Sequence, residues 1–200
     1  RSHIHPKLAR GKQSAYNLPM QLLAEGALKL GIHLSPEQLH QFQRYYEEII
    51  AWNRRFNLTR ITDYEDVQRK HFLDSLTVNL AWQRTPGSLL DVGSGAGLPG
   101  LPLKIVWPEM AVTLLEATGK KAGFIRQASD LLGLSGVTLL AARAETAAHD
   151  VTHREQYPQV TARALAPLAT LVELTLPFCR VGGLAVFAKQ GDLKDEIQTA

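Results

Sequence analysis

The stretch Leu89-Leu90-Asp91-Val92-Gly93-Ser94-Gly95-Ala96-Gly97-Leu98-Pro99-Gly100 decides the fold, because an apolar strand here runs into an acidic residue and then into four glycines. Gly93, Gly95 and Gly97 let the backbone turn sharply and approach a ligand where a Cβ would collide. Pro99 can occupy the first turn of a following helix, where its missing N–H costs nothing and the free N–H groups of its neighbours point at the ligand. Strand, glycine turn and helix in this order predict a nucleotide cradle. Gly95 to Gly100 also satisfies the dinucleotide pattern G-x-G-x-x-G, and Asp91 separates the ligands that use such a turn. A carboxylate at the carboxyl end of the strand repels a pyrophosphate but suits S-adenosylmethionine, which carries an ammonium and a sulfonium.

Downstream, short apolar strands alternate with helices, the pattern of a parallel α/β sheet. Strands are predicted over about 88–92, 111–116, 137–141, 159–163 and 184–189, with helices near 99–107, 119–133 and 167–180. Right-handed crossovers bring every strand's carboxyl end to one rim, where open sheets bind ligands. That rim collects Asp91 and Gly93 from the first strand, Glu116 from the second, Ala144 and Glu145 beyond the third, Arg163 from the fourth and Lys189 from the fifth. Glu116 lies 23 residues beyond Gly93, the separation expected of a carboxylate that accepts from two ribose hydroxyls. Lys120, Lys121 and Arg126 read as the solvated face of the next helix.

Upstream, residues to about 84 look helical. Ser35-Pro36-Glu37-Gln38 offers a reciprocal capping box with Pro at the first helical position. Leu39, Phe42, Tyr46, Ile49 and Ile50 then form one apolar stripe. A second box, Thr62-Asp63-Tyr64-Glu65, opens a stretch that carries Val67, His71, Phe72, Ser75 and Leu76. Pro86-Gly87 marks a boundary. The expected organisation is a helical N-terminal extension over 1–84 and a Rossmann-like domain over 85–200.

Composition supports a real core, with 200 residues and 45% apolar content. No run approaches the roughly 18 apolar residues of a membrane span, and the N-terminus lacks the apolar core of a signal peptide, so the expected location is the cytoplasm. Cys179 is the only cysteine, which rules out an internal disulfide or a zinc-cysteine cluster within the chain. It falls in an apparent apolar helix, Leu174 to Val181, and reads as core. The histidines show no H-x-x-x-H or H-E-x-x-H spacing, so no metal is expected. His71, Asp74 and Ser75 lie within one helical turn and lack a nucleophile elbow, which argues for a structural face and against a hydrolase triad. Net charge is +3, and Arg1, Lys7, Arg10 and Lys12 precede the first acidic residue. That segment reads equally as a nucleic-acid-binding arm or as a tail.

The segments Trp52-Asn53, Asn57-Leu58-Thr59, His71-Phe72-Leu73-Asp74-Ser75-Leu76, Asp91 to Pro102, Gly119-Lys120-Lys121, Arg143-Ala144-Glu145 and Ala162-Arg163-Ala164 together resemble the bacterial small-subunit ribosomal RNA guanine-N7 methyltransferases, the glucose-inhibited division protein B or RsmG family. The resemblance covers nearly the whole chain. It implies a Rossmann-like class I methyltransferase sheet, S-adenosylmethionine as cofactor, and 16S ribosomal RNA or a ribosomal particle as partner; the chain itself is expected to act as a monomer. It further implies that Gly93 and Leu98 line the cofactor, that Glu116 holds its ribose, that Ala144 and Glu145 border its adenine, and that Arg163 completes the pocket by binding either the methionine carboxylate or an RNA phosphate. With Asp91, Gly95 and Gly97, these are the expected cofactor-binding residues. The family's sheet continues for two more strands, which this chain, ending at Ala200, is expected to lack. No catalytic residue is named, since guanine N7 carries an in-plane lone pair and needs no general base. Cys179 is not placed as the nucleophile of a cytosine-C5 enzyme, and no Asn/Asp-Pro-Pro-aromatic turn of an amine methyltransferase follows the fourth strand. Two alternatives stand beside this reading: a ribosome-binding factor with a vestigial pocket, and a nicotinamide-dependent dehydrogenase, which Asp91 opposes.

Overall fold

The computed structural model describes residues 19–85, 87–163, 166–189 and 194–199; the basic segment Arg1 to Lys12 lies outside them. Five parallel strands, β1 (Ser88–Val92), β2 (Ala111–Leu115), β3 (Val137–Leu140), β4 (Tyr157–Arg163) and β5 (Cys179–Ala188), lie in the order β3-β2-β1-β4-β5. The order reverses between β1 and β4, and a crevice opens at the carboxyl ends of strands at such a point. Central β1 is buried on both faces, which is why it reads as an apolar run. Leu89 belongs to the core beneath α5 (Gly100–Val106) and α6 (Gly119–Leu131), whereas Leu90 and Val92 join Val160, Ala162, Leu171 of α8 (Leu168–Thr175) and Phe178 on the opposite face. A short α7 (Ala144–Ala147) and α9 (Lys194–Thr199) complete the elements of this half.

The N-terminal helices share the first core. Leu23 of α1 (Gln21–Lys29), Phe42 and Tyr45 of α2 (Pro36–Asn53) and Phe72 sit in one cluster with Leu101 and Phe124. Ser35 caps α2 reciprocally: its hydroxyl accepts from Gln38 N at 3.1 Å and the Gln38 side chain accepts from Ser35 N at 2.9 Å. Gln38 also donates to the Ile105 and Val106 carbonyls that end α5, and Gln41 donates to the Leu132 carbonyl that ends α6. Further along, Gln127 of α6 donates to Glu48, and Trp52 packs edge-on against Phe124. Helix α2 therefore runs antiparallel to α6 and ends at the strands' carboxyl rim. Tyr45, not Tyr46, is the buried member of its stripe, alongside Leu39, Phe42 and Ile49; at 3.6 residues per turn either tyrosine satisfies the spacing, and packing selects one.

The structure corrects four further expectations. Asp63, not Thr62, caps the second helical stretch, accepting from Glu65 N and Asp66 N. That stretch is not a uniform α-helix: α3 (Tyr64–Asp66) widens into a π turn over Val67–Leu73, then passes through α4 (Asp74–Leu76) into a 3-10 turn over Thr77–Ala81. Pro99 stands one residue before α5, at its N-cap. The helix expected over 167–180 ends at Thr175, and Cys179, half-buried, opens β5. Pro177 lies in the 3-10 turn Leu176–Phe178 and has no N–H with which to continue an α-helix. The register between β4 and β5 shifts between Tyr157 and Gln159, an irregularity that lets β5 begin well before the glycine pair Gly182-Gly183. Among the described residues no helix is long and apolar enough to cross a membrane.

Candidate functional site: the glycine loop and its carboxylates

The loop after β1 is held in a left-handed path, with φ of 69° at Gly93, 60° at Gly95 and 78° at Gly97, which L side chains rarely adopt. Its glycines do different work. A Cβ on Gly95 would meet nothing closer than the Gly93 carbonyl at 3.9 Å, so the loop here faces open space. A Cβ on Gly100 would instead overlap Leu114 and crowd the Asp91 carboxyl; that glycine lets α5 close onto the sheet. Gly97 and Leu98 are buried, so they shape the loop from beneath, whereas Gly93 and Gly95 are half-exposed.

Two carboxyl groups flank the loop. Asp91 is fully buried; its Oδ2 accepts from Gly100 N at 3.0 Å, and its Oδ1 has no hydrogen-bond partner. Burial pushes its pKa up to about 7, against the opposing Gly100 N–H and the charge of Arg163. Glu116, also buried, accepts from Gly95 N at 2.9 Å and Thr118 N at 2.7 Å, which ties the loop after β2 to the loop after β1. Glu116 beside the open space at Gly95, with the Asp91 carboxyl buried behind the loop and partly ionised near neutral pH, favours a cationic ligand over a pyrophosphate.

Arg163, at the end of β4, faces the N-terminal helices. Its Nη1 contacts Asp74 Oδ2 at 3.2 Å and the carbonyls of Lys70 and His71 at 3.3 and 3.4 Å. Those two carbonyls belong to the π turn. The guanidinium and burial together keep His71 neutral, with burial the larger cause and a pKa lowered to about 4. His71, Asp74 and Ser75 do share a structural face: Ser75 donates to the His71 carbonyl, while His71 and Asp74 meet Arg163. Ala144 and Glu145 open α7 beyond β3, half-buried and exposed respectively. Lys189, beyond β5, pairs with Glu196 and donates to the Ala166 carbonyl.

The family model for GidB, rRNA small subunit methyltransferase G, matches residues 38–200. The chain belongs to this family. It is 52% identical over 181 residues to the ribosomal RNA small subunit methyltransferase G of Roseiflexus sp. (strain RS-1), and 52% identical over 181 residues to that of Dehalococcoides mccartyi (strain CBDB1); each alignment covers 90% of this chain and 77% of the relative. Among solved structures, coclaurine N-methyltransferase bound to N-methylheliamine and SAH superposes with a TM-score of 0.53 at 19% identity, covering 84% of this chain and 56% of that one. That likeness is one of fold: a class I methyltransferase sheet.

In this GidB-family chain, sequence reasoning missed Tyr45. Its hydroxyl donates to the Ala96 carbonyl within the glycine loop, and its ring stacks on Phe72, with centroids 5.2 Å apart. Burial, the largest influence, raises its pKa well above the usual phenol value, so it remains a donor. The only signal was a tyrosine within an apolar stripe, where a buried hydroxyl requires a partner. Tyr45→Phe removes that donor and leaves a loop carbonyl unpaired. It is expected to lower stability by about 1–3 kcal/mol, read by urea denaturation at neutral pH.

Proposed function

We propose that the chain transfers a methyl group from S-adenosylmethionine to N7 of a guanine in small-subunit ribosomal RNA, acting as a monomer in the cytoplasm. The observation that carries the reading is the open-faced glycine loop, with Glu116 bonded to Gly95 N and the Asp91 carboxyl buried behind it with one oxygen unpartnered, in a chain of the rRNA small subunit methyltransferase G family. A cation fits this donor set; a dinucleotide pyrophosphate, as a dehydrogenase would need, does not.

S-adenosylmethionine supplies an electrophilic methyl group and a positive charge. Gly93 and Gly95 give it room, and the charge of Asp91 behind the loop favours its ammonium. Glu116 has lone pairs left for ribose hydroxyls beyond its two backbone bonds, and main-chain groups near Ala144 and Glu145 border the adenine. Gly97 and Leu98 shape the loop. Arg163, positioned by Asp74, closes the pocket from β4. Because guanine N7 presents its lone pair without a proton, the protein's task is alignment and exclusion of water, and no side chain must act as base.

The test is transfer of labelled methyl to purified small-subunit ribosomal RNA, with the product mapped by its N7-specific strand scission. Wild-type protein is expected to label one guanine. Cys179→Ala is expected to retain that activity within about twofold, as direct attack requires. A folded protein that binds cofactor and RNA without turnover would instead be a binding factor, and the reading would fall.

A further inference from the structure

The chain leaving α2 reads Arg54-Arg55-Phe56-Asn57-Leu58-Thr59-Arg60, with no acidic residue before Asp63. All three arginines are exposed, and among the described residues none of them makes an ion pair. The loop that carries them is built. Asn53 Oδ1 accepts from Leu58 N at 2.8 Å and Thr59 N at 3.0 Å, and Arg55 N and Phe56 N both donate to the Trp52 carbonyl. Phe56 packs on Trp52, which packs on Phe124 of α6.

Its place follows from α2, which ends at the rim. On one side Lys120, in the first turn of α6, holds its ammonium 4.8 Å above the Phe56 ring; Glu116 lies four residues earlier. On the other side Thr59 Oγ1 meets His71 Nε2 at 2.8 Å, and His71 leads on to Arg163. The loop thus borders the rim from the β2 side to the β4 side. Arg54 and Arg55 also complement the negative end of α2, which explains two charges at that position. It explains neither Arg60, outside the helix, nor Lys120, held over the Phe56 ring of the same loop. Clustered, unpaired cations on a fixed loop repel one another, and a polyanion relieves that repulsion.

We propose that Arg54, Arg55 and Arg60 form the phosphate-binding edge that docks the RNA strand beside the cofactor rim. This rests on the RNA methyltransferase reading above. The experiment measures affinity for labelled small-subunit ribosomal RNA against salt, for wild type, R54A/R55A/R60A and R54K/R55K/R60K, with melting temperature and S-adenosylmethionine affinity measured on each. Three lost single-strand contacts make the log-log salt slope shallower by about 2, and weaken binding on the order of 100-fold near 0.1 M salt. The lysine variant keeps the slope, and cofactor affinity is unchanged in both. A folded alanine variant with the wild-type slope overturns the proposal while leaving the methyltransferase reading intact. Wild-type protein that binds cofactor but neither binds nor methylates RNA overturns both. Should the triple alanine variant fail to fold, R60A alone decides, through a slope change of about 0.7 or none.

Discussion

Asp91→Asn is expected to fold and to bind S-adenosylmethionine about 10- to 100-fold more weakly than wild type, by calorimetry at pH 8. The substitution keeps an oxygen for Gly100 N and removes only the charge, so the loss reads the interaction of a buried carboxylate with a ligand cation. The pH dependence is the sharper signature. In the ligand-free protein burial holds the Asp91 pKa up at about 7, and a cation bound over the loop draws it down. Binding below that pH therefore releases a proton, and affinity rises with pH, approaching tenfold per unit, until it levels above about 7. Asp91→Asn abolishes this rise. Stability of the ligand-free protein has the opposite slope. The folded pKa lies above the unfolded value of 3.8, so between these values the folded state holds more protons. The contribution of Asp91 is complete below about pH 4 and is lost as pH rises through 7, on the order of 4 kcal/mol. Chemical denaturation of both proteins at pH 5 and pH 8 checks the sign: wild type is expected to lose stability relative to Asp91→Asn across that interval.

Gly95→Val is expected to abolish measurable cofactor binding, a loss of more than 100-fold, while the sheet still folds. With φ at 60°, a β-branched residue strains the loop by about 1–2 kcal/mol. The larger effect is steric. A Cβ there meets open space, so the valine methyls fill the volume that the glycine leaves for ligand. Gly95→Ala separates the two terms, since it carries the strain with less of the bulk. Circular dichroism and a melting curve establish folding, and calorimetry reads affinity. Wild-type affinity in a folded Gly95→Val protein would place the cofactor elsewhere on the rim.

Local rules in the sequence were enough for much of this molecule. The apolar run of β1 and its alternation with helices announced the parallel sheet, because a central strand covered on both faces must be apolar throughout. Ser35 and Gln38 marked the start of α2, because a capping box is satisfied within four residues. Asp91, the glycines and Glu116 were legible as a set, because a glycine turn requires its φ values and strand ends converge on one rim. Where two local patterns were equivalent, only tertiary structure could choose. Tyr45 rather than Tyr46 became the buried stripe residue because its ring packs between Phe72 and Phe124 in the shared core while its hydroxyl reaches the Ala96 carbonyl. The run 167–180 was divided into helix and strand because pairing with β4 captures Cys179. Long-range packing also set the state of groups whose identity was plain from the start: Asp91 titrates near 7 because α5 seals it from water, and Arg163 is directed by Asp74 and the π-turn carbonyls, nearly ninety residues or more away in sequence. Charge, spacing and propensity are local properties. Burial and the partner across the core exist only once the chain has folded, and they decide which local signals become a site.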